Sequence, residues 1–157
     1  LMVDLPTDST IVKLVPANKG KLLVAACTGH GLVVDMQDVL AQTRIGKQVL
    51  NLSDTSRAVA CCIVNGDMVA SVGVNRKLIV FNLDEVPEMG RGKGVILQRF
   101  KDGGLADVTV FNKANGLSWQ AGGGRVRTEQ NVSTWLAKRG GSGKLPPNGF
   151  PRPAKFT

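Results

Sequence analysis

Three stretches of the sequence combine glycine with closely spaced cations. They read TRIGK at 43–47 (loop A), GRGKG at 90–94 (loop B) and KRGGSGK at 138–144 (loop C). Glycine allows a backbone to approach a phosphate closely and leaves N–H donors exposed, while arginine and lysine supply positive charge. None of the three has the spacing G-x-x-x-x-G-K-[ST] of a nucleotide-binding P-loop. Three such loops therefore favour contact with the phosphates of a nucleic acid, and the alternative is that they are plain connections between structural units.

The charge of the chain is uneven. The formal net charge is +8, and residues 103–157 carry most of it, with eight Lys or Arg against two Asp or Glu. The last 21 residues, 137–157, hold five cations and no acid. A partner with dense negative charge, nucleic acid first, accounts for this balance, and a solvated basic tail is the alternative. The cations predicted to contact DNA are Arg44, Lys47, Arg76, Lys77, Arg91, Lys93, Arg99, Lys101, Arg125, Arg127, Lys138, Arg139 and Lys144.

Residues that could carry out catalysis are sparse. The chain has no tyrosine and a single histidine, His30, in the turn TGHG. Cys27, Cys61 and Cys62 lie in apolar runs and form a poor disulfide framework, so we expect buried free thiols. We predict no metal, no cofactor, no small-molecule substrate and no catalytic residues in this stretch. No apolar run reaches the roughly 18 residues of a membrane span, so we expect no membrane partner.

The elements that must position the loops are short strands. Apolar runs of four to seven residues, rich in Val, Ile and Leu and bounded by Gly, Asn or Asp, are typical of β-strands. We predict strands at 11–15, 21–26, 32–34, 49–52, 58–64, 68–72, 78–83, 95–98, 107–111, 117–120 and 125–128. The NGD turn at Asn65–Asp67 predicts a hairpin between the strands at 58–64 and 68–72.

The order of strands and loops recurs along the chain. Lys47 and Lys93 are 46 residues apart, and the step to loop C is slightly longer. A period in the high forties that holds about four short strands has the size of a propeller blade, and such blades must stack to bury both faces. We predict an all-β, propeller-like repeat of about three four-stranded blades. Residues 1–157 form one domain in this interpretation, 137–157 are its basic Gly/Pro-rich C-terminal segment, and the chain is part of a longer protein.

The sequences QTRIGKQVLNL, NRKLIVFNLDEVPEMGRGKGVILQRFKDGGL and RGGSGKLPPNGF resemble the C-terminal domain of the bacterial DNA topoisomerase IV A subunit. The resemblance covers essentially the whole chain. It implies a β-pinwheel, a propeller-like ring whose blades exchange strands and whose basic outer rim engages DNA. In the related gyrase A domain one loop carries a Q-R-R-G-G-K-G box. Loops B and C match that box in part and loop A more weakly, which favours topoisomerase IV over gyrase.

The resemblance also implies a biological role. The domain would bind and bend duplex DNA without sequence specificity, and so set substrate preference in decatenation and supercoil relaxation during chromosome segregation. The parent enzyme would be bacterial, cytoplasmic and nucleoid-associated. It would use ATP and magnesium elsewhere, with the rest of the A subunit and an ATPase B subunit as partners. Two alternatives remain: a gyrase A DNA-wrapping domain, and a propeller-like protein-interaction or regulatory module.

Overall fold

The structure, a computed structural model, describes residues 20–39, 49–52, 57–101, 103–121, 123–147, 150–151 and 154–156. The strand predicted at 11–15 and loop A, with Arg44 and Lys47, lie outside the described residues. Within the described ranges, no helix is long and apolar enough to cross a membrane.

Short strands dominate the described chain, as predicted. In chain order the elements are β1 (Lys21–Ala26), β2 (His30–Asp35), α1 (Met36–Val39), β3 (Ala58–Ile63), β4 (Met68–Gly73), β5 (Leu78–Asn82), a 3-10 helix (Leu83–Glu85), β6 (Val95–Ile96), β7 (Leu105–Phe111), β8 (Leu117–Gln120) and β9 (Val126–Glu129). The strand predicted at 49–52 is reduced to one bridge, at Leu50.

Blade 1 is a four-stranded antiparallel sheet in the order β3-β1-β2-β6. The hairpin β1–β2 forms its centre, with Leu23 opposite Val33. β3 adds to the β1 side, and β6, which follows the next hairpin in the chain, adds to the β2 side. Consecutive units therefore exchange strands, and a blade is not one continuous segment of chain.

Blade 2 repeats this plan. The hairpin β4–β5 forms its centre, and β7 adds to the β4 side. Its outer edge is closed by the bridges Val80–Leu136 and Leu78–Lys144. The corresponding pairs of blade 1 are Val33–Glu88 and His30–Ile96, which lie 47 or 48 positions earlier in the chain. We call residues 86–96 and 134–144 the outer segments of blades 1 and 2.

Blade 3 consists of the hairpin β8–β9 and a short C-terminal stretch. On the β8 side, the N–H of Gln120 donates to the carbonyl of Phe156 (3.1 Å). Residues 154–156 thus take the place that β3 and β7 occupy in the other two blades. β9 has three exposed residues out of four.

β3 and β4 do not form the predicted hairpin. β3 pairs with β1 in blade 1, whereas β4 pairs with β5 and β7 in blade 2. The Asn65–Asp67 turn therefore links two blades, and the N–H of Asp67 donates to the carbonyl of Phe111 (3.1 Å). The prediction was wrong because an NG pair reports a local turn, while the partner of each strand depends on which sheet buries it.

The hairpin of blade 2 is covered on both faces. All six residues of β4 are buried. Val69 and Phe81 lie in a cluster shared with blade 1, whereas Ala70 and Val80 lie in a second cluster that contains Trp119 of blade 3. This two-sided burial explains why the strand sequence, apart from Ser71, does not alternate with polar residues.

Candidate nucleic-acid interface

Loops B and C lie on the outer edges of blades 1 and 2. At the opposite edge of blade 1, β3 packs against β7 of blade 2, so these two strands form the inner side of the assembly. Each outer segment pairs with its blade, leaves it as a glycine loop and then pairs with it again. The basic loops therefore belong to the rim of the assembly.

Loop B is hydrogen-bonded to the segment that follows loop A in the chain. The N–H of Gly92 donates to the carbonyl of Val49 (2.9 Å), and the Gly92 carbonyl accepts the N–H of Asn51 (2.7 Å). Arg91 adds a contact from its Nε to the Asn51 side-chain oxygen (3.3 Å). These bonds fix the loop relative to the preceding repeat.

Loop C repeats this arrangement one blade further on. The N–H of Gly140 donates to the carbonyl of Leu97 (2.9 Å), and the Gly141 carbonyl accepts the N–H of Arg99 (3.1 Å). Each of these two loops thus rests on the segment that leaves the preceding loop. The two basic loops therefore form a ladder along the rim and bring cations to two successive blades.

Glycine is required where the loops rejoin their blades. Gly94 has a φ of +79°, and a Cβ there would overlap the backbone of Gly31. Gly143 has a φ of +82°, and its Cβ would lie 2.7 Å from the carbonyl oxygen of Leu78. Both positions therefore combine a left-handed backbone with close approach to a neighbouring strand.

Most of the cations predicted from the sequence are exposed in the structure. Those with exposed side chains are Lys77, Arg91, Lys93, Arg99, Lys101, Arg125, Arg127, Lys138 and Lys144. The stretches 89–101 and 130–157 contain no acidic residue. Glu88, which precedes loop B, accepts a hydrogen bond from Lys21 Nζ (2.6 Å), and this bond raises the pKa of Lys21. The rim therefore presents a run of positive charge.

Two of the predicted cations hold the chain together through their guanidinium groups. Arg76 donates from Nη1 to the carbonyl of Pro151 (2.7 Å) and from Nη2 to that of Phe150 (3.1 Å). Arg139 donates from Nη1 to the carbonyl of Ile96 (2.8 Å), which joins loop C to the outer segment of blade 1. These anchoring contacts were not predicted from the sequence.

A buried glutamine positions the rim and was also not predicted. Gln98 is fully buried, and its Nε2 donates to the carbonyls of Lys77 (2.8 Å) and Ser142 (3.1 Å). Its Oε1 accepts a hydrogen bond from the buried hydroxyl of Ser71 (2.9 Å). One side chain therefore connects the β4–β5 turn, loop C and the interior of blade 2.

His30 lies beside loop B. It is the first residue of β2, and its Nδ1 is 3.0 Å from the hydroxyl of Thr28. Burial lowers the pKa of His30, and the nearby charge of Lys93 lowers it further. The histidine therefore reports on the electrostatic potential of the rim.

The described residues offer no metal centre. No group of three or more His, Cys, Asp or Glu side chains that could hold a metal ion occurs in the part of the chain that the structure describes. Cys27, Cys61 and Cys62 form no disulfide among the described residues. They are half-buried, whereas full burial was predicted.

Comparison with known proteins finds sequences and structures that are similar to this chain. The profile of the DNA gyrase C-terminal domain, a β-propeller, matches residues 67–109, which contain loop B and the β4–β5 hairpin. The solved C-terminal domain of E. coli ParC superposes with a TM-score of 0.76 at 22% identity, over 93% of this chain and 64% of that one. The gyrase A C-terminal domain gives a TM-score of 0.62 at 21% identity, over 80% of this chain and 43% of that one.

This chain has the β-pinwheel fold of these C-terminal domains. Its sequence is 47% identical to the DNA topoisomerase 4 A subunit of Rickettsia bellii over the whole chain, which is 21% of that relative. It is 38% identical to the Caulobacter vibrioides protein of the same description, over 99% of the chain and 21% of the relative. The resemblance to topoisomerase IV A subunits is therefore confirmed, and the chain spans about a fifth of the length of these curated relatives.

Proposed function

We propose that this β-pinwheel binds duplex DNA along its rim without sequence specificity. The observation that carries the proposal is the ladder of loops B and C, in which hydrogen-bonded glycine loops present exposed cations on successive blades. Exposed cations on successive blades suit a phosphate backbone. The cations we assign to DNA are Lys77, Arg91, Lys93, Arg99, Lys101, Arg125, Arg127, Lys138 and Lys144, with Arg44 and Lys47 proposed from the sequence alone.

Arg76 and Arg139 have a different role in this proposal. Their guanidinium groups already donate to backbone carbonyls, so they contribute positive potential and hold the rim in shape. Readout of bases is not part of the proposal. The one α-helix among the described residues, Met36–Val39, has four residues and is too short to serve as a recognition helix.

We further propose that the rim bends the duplex. Bending a site of about 20–30 base pairs by roughly 40–90° costs on the order of 1–6 kcal/mol. Counterion release from several neutralised phosphates along successive blades supplies the compensating free energy. In the parent enzyme, this bending would set the preference among linked and supercoiled substrates in decatenation and relaxation.

The relatives support this context, because they are described as topoisomerase 4 A subunits. We propose that the chain acts within a bacterial type IIA topoisomerase at the nucleoid in the cytoplasm. Its partners there would be the rest of the A subunit and an ATPase B subunit, and ATP and magnesium would act at sites outside this chain.

A charge reversal in loop B tests DNA binding by the rim. Lys93→Glu should weaken binding to unrelated duplexes about tenfold at moderate salt and reduce the slope of log K against log [salt] by about one. Lys113→Glu is the matched control, because Lys113 is an exposed cation in the β7–β8 connection. Equal affinities and equal salt slopes for the two variants would contradict the proposal.

The gyrase-type alternative keeps one specific observation in its favour, the gyrase family profile over residues 67–109. Ligation of nicked circles in the presence of the chain separates the two functions. Bending without wrapping leaves the linking number close to that of free DNA, whereas wrapping shifts it in proportion to the bound protein.

A further inference from the structure

The outer edge of β9 differs from the equivalent edges of the other hairpins. In blades 1 and 2 the second strand of the hairpin, β2 or β5, receives an outer segment on this side. β9 pairs with β8, and within the described ranges no other strand or bridge adds to it. Blade 3 therefore presents an edge that the repeat uses elsewhere for strand addition.

The register shows which groups this edge presents. Val80 lies opposite Ala70, and it points its N–H and carbonyl outward, to Trp135 (2.9 Å) and Ala137 (2.9 Å) respectively. Thr128 occupies the same place 48 residues later, opposite Ser118. The N–H and carbonyl of Thr128 therefore point away from β8.

A second observation supports this orientation. The hydroxyls of Ser118 and Thr128 lie 2.8 Å apart across the strand pair. Directly opposed residues whose side chains approach closely are those that do not exchange backbone hydrogen bonds with each other. Val126 lies two residues before Thr128, so its N–H and carbonyl also point away from β8. Val126 is 59% exposed.

A cleft of about 500 Å³ adjoins this edge between blades 2 and 3, lined by Trp119, Arg127, Thr128, Glu129, Trp135, Pro146 and Pro147. At the junction of blades 1 and 2, the places of Arg127 and Glu129 are taken by Ile79 and Phe81, which are fully buried. Charged residues thus replace the apolar residues that close the first junction. The second junction is packed around Leu117 and Trp119 and opens into the cleft beside β9.

We propose that the β9 edge and this cleft together accept an extended, acidic protein segment, which adds as the outer strand of blade 3. The repeat provides the precedent for its chemistry. The chain that adds to β2 runs through LDEVPEM, residues 83–89, which contains three acids. Met89 of that segment packs with Leu32 and Val34, on the side that corresponds to the cleft face of β9. An acidic strand with one apolar side chain directed into the cleft fits the β9 site.

Charge complementarity favours an acidic occupant. Arg127 is exposed on β9, Arg125 is exposed directly before it, and the chain from residue 130 onward contains no acid. Glu129 is the acid within the cleft lining, and its carboxylate accepts the N–H of Asn131 (3.1 Å). An incoming acidic strand would therefore meet cations at the edge, and backbone pairing would give the affinity.

Fluorescence anisotropy of a dye-labelled peptide LDEVPEMG with the 157-residue chain tests this proposal. We expect saturable binding of this peptide. The neutral peptide NVSTWLA and the charge-reversed peptide LKKVPKMG should bind at least tenfold more weakly. Thr128→Pro should weaken binding at least tenfold, because it removes the outward N–H while proline is tolerated at an edge position. Thr128→Val is the matched control, since it also lacks the hydroxyl but keeps the N–H, and it should bind like the wild type.

Hydrogen exchange provides a readout that does not depend on the proline variant folding. Peptide binding should protect the amides of Val126 and Thr128 in the unmodified chain. Equal binding by Thr128→Pro and Thr128→Val, or unchanged exchange at both amides, would overturn the proposal. Preferential binding of single-stranded DNA at this edge would also overturn the proposal. It would be measured as competition between DNA and the peptide that Thr128→Pro abolishes.

Discussion

The hydroxyl of Ser71 donates to Oε1 of Gln98 at 2.9 Å, and both side chains are fully buried. This bond fixes the orientation of the glutamine amide. The amide Nε2 then reaches the carbonyls of Lys77 and Ser142, one in the β4–β5 turn and one in loop C. A polar pair in the interior of blade 2 thereby sets the spacing between two basic parts of the rim.

Replacing the glutamine should therefore lower the stability of the chain. Gln98→Leu removes the donor to the Ser142 carbonyl and the acceptor of the Ser71 hydroxyl, whereas the Lys77 carbonyl keeps the N–H of Gly73 (3.1 Å). At about 1–3 kcal/mol for each buried polar group left unpaired, the free energy of unfolding should fall by about 2–6 kcal/mol. Urea denaturation measures the loss. Ser71→Ala, which leaves only Oε1 of Gln98 without its donor, should cost about 1–3 kcal/mol. A Gln98→Leu variant as stable as wild type would show that the Ser142 carbonyl and the Ser71 hydroxyl find other partners.

The glycines that close the loops make a second prediction. Gly143→Ala should destabilise the chain by more than about 1 kcal/mol, because the residue combines a φ of +82° with a Cβ position 2.7 Å from the carbonyl of Leu78. Gly123→Ala serves as the control, since its φ is also positive, +60°, but its Cβ would meet no atom within 4 Å. Thermal unfolding of the two variants distinguishes the effect of steric overlap from that of backbone strain. Equal losses of stability in the two variants would argue against the overlap.

Substitutions at Arg76 and Lys77 should distinguish a residue that stabilises the fold from one that binds DNA. The guanidinium of Arg76 donates to Phe150 and Pro151, so Arg76→Ala should lower the unfolding free energy by about 1–3 kcal/mol. Lys77 is exposed, and Lys77→Ala should leave stability within about 0.5 kcal/mol while reducing the salt slope of DNA binding. The reverse pattern in denaturation and filter-binding assays would contradict the assignment of roles.

The sequence predicted the strands better than their partners. β1 and β8 lie at the predicted residues, because short apolar runs bounded by turn residues are local signals. The hairpin predicted from the NG turn between β3 and β4 was wrong, since strand exchange places these two sequence neighbours in different blades. The roles of Arg76 and Gln98 escaped prediction for a related reason. Their carbonyl partners lie between 21 and 75 residues away in the chain, and only the packing of blades brings them together.

The charge of the rim should be measurable through the single histidine of the chain, which gives one unambiguous NMR signal. Burial and the charge of Lys93 hold the pKa of His30 below its ordinary value of 6.5. Between the pKa of His30 in the folded chain and its ordinary value of 6.5, the folded chain binds fewer protons than the unfolded chain. Stability should therefore rise with pH through that window and fall as pH drops below 6.5.

Lys93→Met should raise the pKa of His30 in an NMR titration, whereas Lys113→Met should not. Duplex DNA bound at loop B should also raise it, because phosphate charge favours the imidazolium form. A pKa that responds to neither Lys93→Met nor DNA would separate His30 from the rim.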